Sequence, residues 1–202
     1  MKKQLSEMSL DELWELFPIV LKEHDPQYKA WYEDERQRVL CTVAPEEVVR
    51  INHIGSTAVE GLVAKPTVDI LLEVGQCCEL ARLTEDLEAD GWLLMSEERD
   101  PLSLSFNKGY TPEGFGEKVY HLHVRHAGDW DELYFRDFLI AHPDVAAEYG
   151  ALKLRLWKDF EHDRDGYTEA KKDFVAECSA AAKEEFPGRY KSSRSDQPER
   201  TT

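Results

Sequence analysis

The amino-acid sequence predicts an α+β fold. A mixed α/β half at about residues 24–127, a mixed β-sheet packed with helices, is followed by a C-terminal helical segment at about 128–187. Three observations predict it. Five runs between Glu47 and His126 are short and either apolar or alternating, as strands are. Beyond Gly128 the apolar residues recur at helical spacing. Neither an internal repeat nor a clear linker divides the halves, so residues 1–187 read as one domain.

Ser9-Leu10-Asp11-Glu12 is a capping box that opens a short helix through about Val20. Asp25-Pro26 supplies an N-cap and a first-turn proline for a second helix over about 26–43, with Tyr28, Trp31, Tyr32 and Val39 among its apolar positions. Residues 47–54 and 67–74 read as the first two strands. A helix over 76–90 stops at Gly91, a C′ glycine. "WLLMS" is a third strand, and the alternating "LSLSFNKGY" and "VYHLHVRH" are the fourth and fifth. "TPEGFGEK" between them reads as a turn, from its Pro and Gly. Asp129 with Glu132 caps the next helix, which carries Trp130, Leu133, Phe138 and Leu139. Pro143-Asp144 opens another, burying Val145, Tyr149, Leu152, Leu156 and Trp157. A last helix covers about 167–185. The tail "GRYKSSRSDQPERTT", residues 188–202, has no apolar residue beyond Tyr190 and is expected to be disordered.

Composition narrows the function classes. Apolar residues make up 42% of the 202, enough for a sizeable core. No apolar run approaches the roughly 18 residues that span a bilayer. "MKKQLSEMSL" has lysines but no apolar segment of a secretory signal, so a cytoplasmic location is expected and no membrane partner. The four cysteines include no CxxC and are expected to be buried, reduced thiols. A formal net charge of −16 argues against general nucleic-acid binding, which needs a basic surface. It leaves a nucleotide or phosphorylated small molecule possible where cations gather locally.

One carboxylate stands out. Asp69 lies inside the apolar run "TVDILLEV", where burying an unpaired charge costs several kcal/mol, on the order of 3 or more. Alternation puts Val68, Ile70, Leu72 and Val74 on a core face, and Thr67, Asp69, Leu71 and Glu73 on the other. Asp69 and Glu73 are then about 13–14 Å apart, too far to share an ion directly. In the fifth strand His121 and His123 project together, one pleat apart. If that strand neighbours the second, Asp69, His121 and His123 converge on one open face and can hold a divalent metal. The competing reading is a solvated face whose histidines bond to backbone or carboxylates. Gly55-Ser56 after the first strand is either a plain turn or a phosphate-contacting one.

"HIGSTAVEGLVAKPTVDILLEV", residues 53–74, resembles the signature of the GrpB family of nucleotidyltransferase-like proteins, HIGSTSVPGL-A-KP-IDI. Glu60 stands where proline is usual. "HLHV" at 121–124, "FRDFLIAHPDVAAEYGALK" at 135–153, "YTEAKKDFV" and "HDPQYKAWYEDERQRVL" resemble further blocks of that family, and the similarity covers about residues 24–182. The resemblance implies the nucleotidyltransferase fold. In that superfamily Gly-Ser holds a triphosphate, and carboxylates spaced Asp-x-Asp, often with a third on a later strand, hold metal ions. Carried across, Gly55 and Ser56, with Thr57 beside them, match the phosphate loop, and Asp69 the first carboxylate. Leu71 occupies the second carboxylate position, and His121 and His123 stand where a third acid is usual.

The expectation is therefore a nucleotidyltransferase or phosphoryl-transfer protein that binds a nucleotide with Mg²⁺ or Mn²⁺. Asp69, His121 and His123 serve as ligands or general base. Lys65, Arg136, Lys153 and Lys171 neutralise phosphate, and Tyr167 contributes to the nucleotide site. For the four cations the competing reading is a solvated surface or an ion pair, Arg136 with Asp137 in particular; for Tyr167 it is the helical core. The missing second carboxylate leaves an alternative, a non-catalytic nucleotide-binding or accessory module with a degenerate transferase site.

Overall fold

Five strands form one mixed sheet in the order β1-β2-β5-β4-β3. They are β1 (Val48–Ile54), β2 (Val68–Val74), β3 (Leu93–Arg99), β4 (Leu102–Thr111) and β5 (Gly114–His126). β2 and β5 run parallel, and the other neighbouring pairs are antiparallel. The helices are α1 (Leu10–Leu16), α2 (Gln27–Thr42), α3 (Leu80–Ala89), α4 (Asp131–Ala141), α5 (Pro143–Phe160), α6 (Arg164–Glu169) and α7 (Lys172–Glu185). This computed structural model describes residues 3–191. Among them no helix is long and apolar enough to cross a membrane.

β2 holds a central place because both its faces bury apolar side chains. Val68, Ile70, Leu72 and Val74 pack against Tyr28, Tyr32 and Val39 of α2, Leu83 and Leu87 of α3, and Trp92. Each such side chain contributes about 1.5–3 kcal/mol by leaving water. The opposite face, expected to be open, is open only at its Asp69 end. Leu71 is sealed under Ile54 and Leu133 of α4. Glu73 is 0% exposed and receives two hydrogen bonds from Arg50 of β1, at 2.5 and 2.6 Å, and one from the Gly128 amide. A central strand flanked on both sides has no solvated face at its middle, so Glu73 must be paired.

The helical half is built into the sheet half through the loop after β1. Val59 and Leu62 of that loop join Phe135, Leu139, Tyr149 and Cys178 in one cluster. Val63 joins Ile19, Leu21 and Tyr167 in another. The segment that follows the Gly55–Thr57 turn is thus clamped on both sides.

Several expectations are corrected. α1 stops at Leu16, where Pro18 follows and the Ile19 amide turns to the Glu161 carbonyl. "TPEGFGEK" is mostly strand. Only Pro112 and Glu113 turn, and β5 starts at Gly114. Gly116 serves close approach: a Cβ there would lie 3.2 Å from the Gly109 carbonyl oxygen. The last helix is two, because the Asp163 carboxylate caps α6 and the chain breaks at Ala170–Lys171 before α7. Cys41 and Cys77 are exposed rather than buried, though all four thiols are free. The start of the tail docks. The Tyr190 hydroxyl donates to Asp137 at 2.5 Å and accepts from Arg136 at 2.9 Å, and its ring stands edge-on to Tyr134. One aromatic ring with a partnered hydroxyl is enough to tie down a polar segment. Residues 192–202 of the expected disordered tail lie outside the described residues.

Candidate functional site

Parallel pairing sets Asp69 of β2 beside His121 of β5, and Leu71 beside His123. One ligating atom from each of Asp69, His121 and His123 lies within 4.8 Å of the others. His121 Nδ1 is 3.0 Å from Asp69 Oδ1. Burial alone would raise the Asp69 carboxyl, but the His121 hydrogen bond, with His123 and Lys65 nearby, brings it below the ordinary carboxylate value. Asp69 is therefore ionised at neutral pH. Burial pushes His123 down to about 4 against the pull of Asp69, so its ring is neutral and keeps a nitrogen lone pair for a ligand.

The second nitrogen of His121, Nε2, lies 2.8 Å from the Tyr110 hydroxyl, to which Arg164 donates at 3.3 Å. Regular alternation would place Tyr110 on the same face as Lys108, which pairs with Glu35 and Asp90 on the α2–α3 side. Gly109 breaks the alternation. Its φ is +89°, and a Cβ there would sit 2.1 Å from the Lys118 carbonyl oxygen, so only glycine fits. Sequence reasoning missed Tyr110 and Arg164. The signal for Tyr110 was the glycine itself, inside an alternating strand, which marks a bulge or close approach.

The loop over the carboxylate depends on a second glycine. Gly55 has φ 70° and ψ −172°, backbone territory that is essentially glycine's alone. A Cβ at Gly55 would meet Asp69 Oδ2 at 2.5 Å. Ser56 follows in a short 3₁₀ turn, Ser56–Ala58. Lys153 of α5 reaches beneath it, 2.9 Å from Ser56 Oγ, and also donates to the Val63 carbonyl. Lys153 is only 2% exposed, and burial, with Lys171 and Lys65 nearby, pushes its pKa down to about 7. Lys171, at the α6–α7 break, is pushed down to about 8 by burial and by Lys65. Lys65 is lowered by burial and by Arg164. The charge of Asp69 partly opposes the lowering at all three lysines. Lys171 stands 4.1 Å and Lys65 5.9 Å from the centre of the Tyr167 ring. That ring is a buried platform for two cations.

Three predicted residues take other roles here. The Thr57 hydroxyl is buried between His53 Nε2 and the Thr67 carbonyl, so its side chain holds the loop down. Arg136 is committed to Asp137, the His53 carbonyl and Tyr190, the ion-pair reading of that residue. Tyr167 is core beneath the lysines, with no exposed face for a base. A cavity of about 570 Å³ opens on Asp69, His123 and Gly55, walled by Trp130 and Phe135 and by the acids Asp129, Asp131 and Glu132. Another, of about 390 Å³, reaches Lys65, Tyr110 and Arg164, with Trp31 and Phe115 in its wall.

Known proteins resemble this chain in sequence and in fold. The family model described as GrpB protein matches residues 18–181. The glutamate-rich protein GrpB of Alkalihalophilus pseudofirmus is 34% identical over 163 residues, covering 79% of this chain and 92% of that protein. UPF0157 protein YqkA of Bacillus subtilis is 27% identical over 82% of this chain, which spans only 48% of that protein's length. Among solved structures, the conserved protein GrpB from Enterococcus faecalis superposes with a TM-score of 0.72 at 26% identity, over 83% of this chain and 99% of that one. The Cid1 poly(U) polymerase, solved with Mg and 3′-dATP bound, has a TM-score of 0.50 at 11% identity, over 80% of this chain and 51% of that one. At that identity the likeness is one of fold, the nucleotidyltransferase fold.

Proposed function

From the premise that this chain belongs to the GrpB family, we propose that its cleft binds the phosphates of a nucleotide, or of a related phosphorylated small molecule, beside a divalent cation, and transfers a phosphoryl or nucleotidyl group. One observation carries the reading: ligating atoms of a carboxylate and two imidazoles lie within 4.8 Å of one another, and three lysines feel the charge of that carboxylate. Where they are protonated, three lysines around one carboxylate supply positive charge for a polyanion.

Asp69, His121 and His123 are the residues that would hold the cation. Two nitrogens and one oxygen suit Mn²⁺ or another borderline ion better than Mg²⁺, which prefers oxygen donors. When bound, such an ion polarises phosphoryl oxygens and lowers the pKa of an attacking hydroxyl. The protein's part is placement. Gly55 brings the loop onto the carboxylate, and Lys153 orients the Ser56 hydroxyl towards the ligand's phosphates. Lys65 and Lys171 offset charge on the transferred group.

Thermal melts test the reading. Mn²⁺ with a nucleoside triphosphate at about 100 times its dissociation constant should stabilise the wild type by about 2.7 kcal/mol. Asp69→Asn, which keeps the shape but loses the charge, should fold and show no such response. A variant that responds fully removes Asp69 from the site. A second reading is favoured by Leu71, which is 0% exposed and occupies the second carboxylate position. On that reading the cleft binds nucleotide without turnover. Pyrophosphate or phosphate release in the presence of the stabilising nucleotide separates the two.

A further inference from the structure

We propose that Tyr110 is a positioning residue that fixes which ring nitrogen His121 offers to a divalent cation, an inference that rests on the metal reading above. Four polar groups form one chain: Arg164, the Tyr110 hydroxyl, the His121 ring and Asp69, with separations of 3.3, 2.8 and 3.0 Å. For a neutral His121 ring, the direction of each bond follows from the inventory of donors and acceptors. A carboxylate only accepts, so Nδ1 then carries the ring proton and Nε2 the lone pair. Tyr110 then donates its O–H to Nε2. Arg164 only donates, so it occupies a lone pair of the Tyr110 oxygen. Each of the three bonds then pairs one donor with one acceptor.

His121 Nδ1 is the nitrogen turned to Asp69, and it offers a lone pair only if its proton moves to Nε2. One N–H bond breaks at Nδ1 and one forms at Nε2, and the ring stays neutral. The new Nε2–H needs an acceptor in a half-buried place, and the Tyr110 oxygen stands 2.8 Å away. Tyr110 changes from donor to acceptor on that side. Its own hydroxyl proton turns towards the cavity of about 390 Å³ that it lines with Lys65 and Arg164. A histidine that ligates a metal characteristically donates its other N–H to such a partner, and losing the partner weakens metal binding about 10–100-fold. Gly109 places this partner: with any other residue there, the strand could not turn Tyr110 to the His121 face.

The test compares wild type, Tyr110→Phe and Asp69→Asn by calorimetric titration of Mn²⁺ and of Zn²⁺ into the full chain. Phenylalanine keeps the ring that packs edge-on against Phe17 and Phe115, so the fold should survive. The expected result is binding by wild type, binding about 10–100-fold weaker by Tyr110→Phe, and none by Asp69→Asn. Histidine ¹⁵N spectra of the wild type supply an arm that needs no variant. The protonated nitrogen of His121 should be Nδ1 without Zn²⁺ and Nε2 with it. Equal affinity of wild type and Tyr110→Phe, or a His121 that keeps its Nδ1 proton in Zn²⁺, overturns the role of Tyr110 while the metal reading stands. A wild type that binds neither ion overturns the metal reading and this inference together.

Discussion

Asp69, His121 and His123 come together because two strands with period-two side chains run side by side in register. What holds the groups at working distance is glycine at two positions. Gly109→Ala would force a left-handed backbone on a residue with a Cβ and drive that atom into the Lys118 carbonyl. The backbone strain alone costs about 1–3 kcal/mol. Urea melts should show a loss at least that large, with the Tyr110–His121 bond broken. Gly55→Ala is a sharper probe of function. Its Cβ would contact Asp69 Oδ2, so the carboxylate must move from its place beside His121. The nucleotide-dependent rise in melting temperature should fall away in that variant. A full response would mean that the approach of the loop to Asp69 is irrelevant to binding.

At the scale of elements, β2 carries one carboxylate for the site and one for the fold. Glu73 is sealed beside Arg50, and removing one member of a buried pair costs about 3–5 kcal/mol because the other charge is stranded. Arg50→Met should therefore unfold at a markedly lower urea concentration. Asp69→Asn should not, and that contrast distinguishes a structural carboxylate from a site carboxylate on the same strand. The end of the chain behaves as a strap. Tyr190 bridges Asp137 and Arg136 of α4, and Arg50 donates to its carbonyl. Ending the chain at Pro187 removes that half-buried ring, worth about 1–2 kcal/mol, and should lower the melting temperature by roughly 2–8 °C. An unchanged melt would show that the docked residues add nothing.

For the molecule as a whole, an acidic chain gathers three lysines around one carboxylate. Its net charge is −16, yet Lys65, Lys153 and Lys171 are gathered from three separate segments. The linkage has a definite sign. Folding lowers the pKa of Lys153 to about 7 and of Lys171 to about 8, so the unfolded chain binds more protons above those values. The contribution of these groups to stability is unfavourable in full below about pH 7 and is relieved as pH rises towards their unfolded values. Anion binding runs the other way, since it needs the protonated ammonium groups. Affinity for inorganic triphosphate, measured by calorimetry, should fall as pH rises from about 6.5 to 9. A flat profile would remove the two lysines from the anion site.

Periodicity and turn chemistry were enough to read five strands, the long helices and the shared face of His121 and His123, because those are local rules of the backbone; that Asp69 meets them was conditional on β2 and β5 being neighbours, which strand pairing decided. They also read the Ser9–Glu12 capping box, which forms. The resemblance of residues 53–74 to a known signature pointed to Gly55 and Ser56 beside that face. Three things depended on distant packing. Whether the second face of β2 is open was settled by α4 lying over Leu71, a contact between residues 62 positions apart in the chain. Whether Arg136 and Thr57 face a ligand or the interior was settled by Asp137, Tyr190, His53 and Thr67, which compete for their polar groups. Tyr110 reaches His121 only through one positive φ, and alternation counts residues without seeing dihedrals. Local propensity acts over a few residues, whereas burial and hydrogen-bond partners are assigned by whichever chain segments arrive to cover a strand.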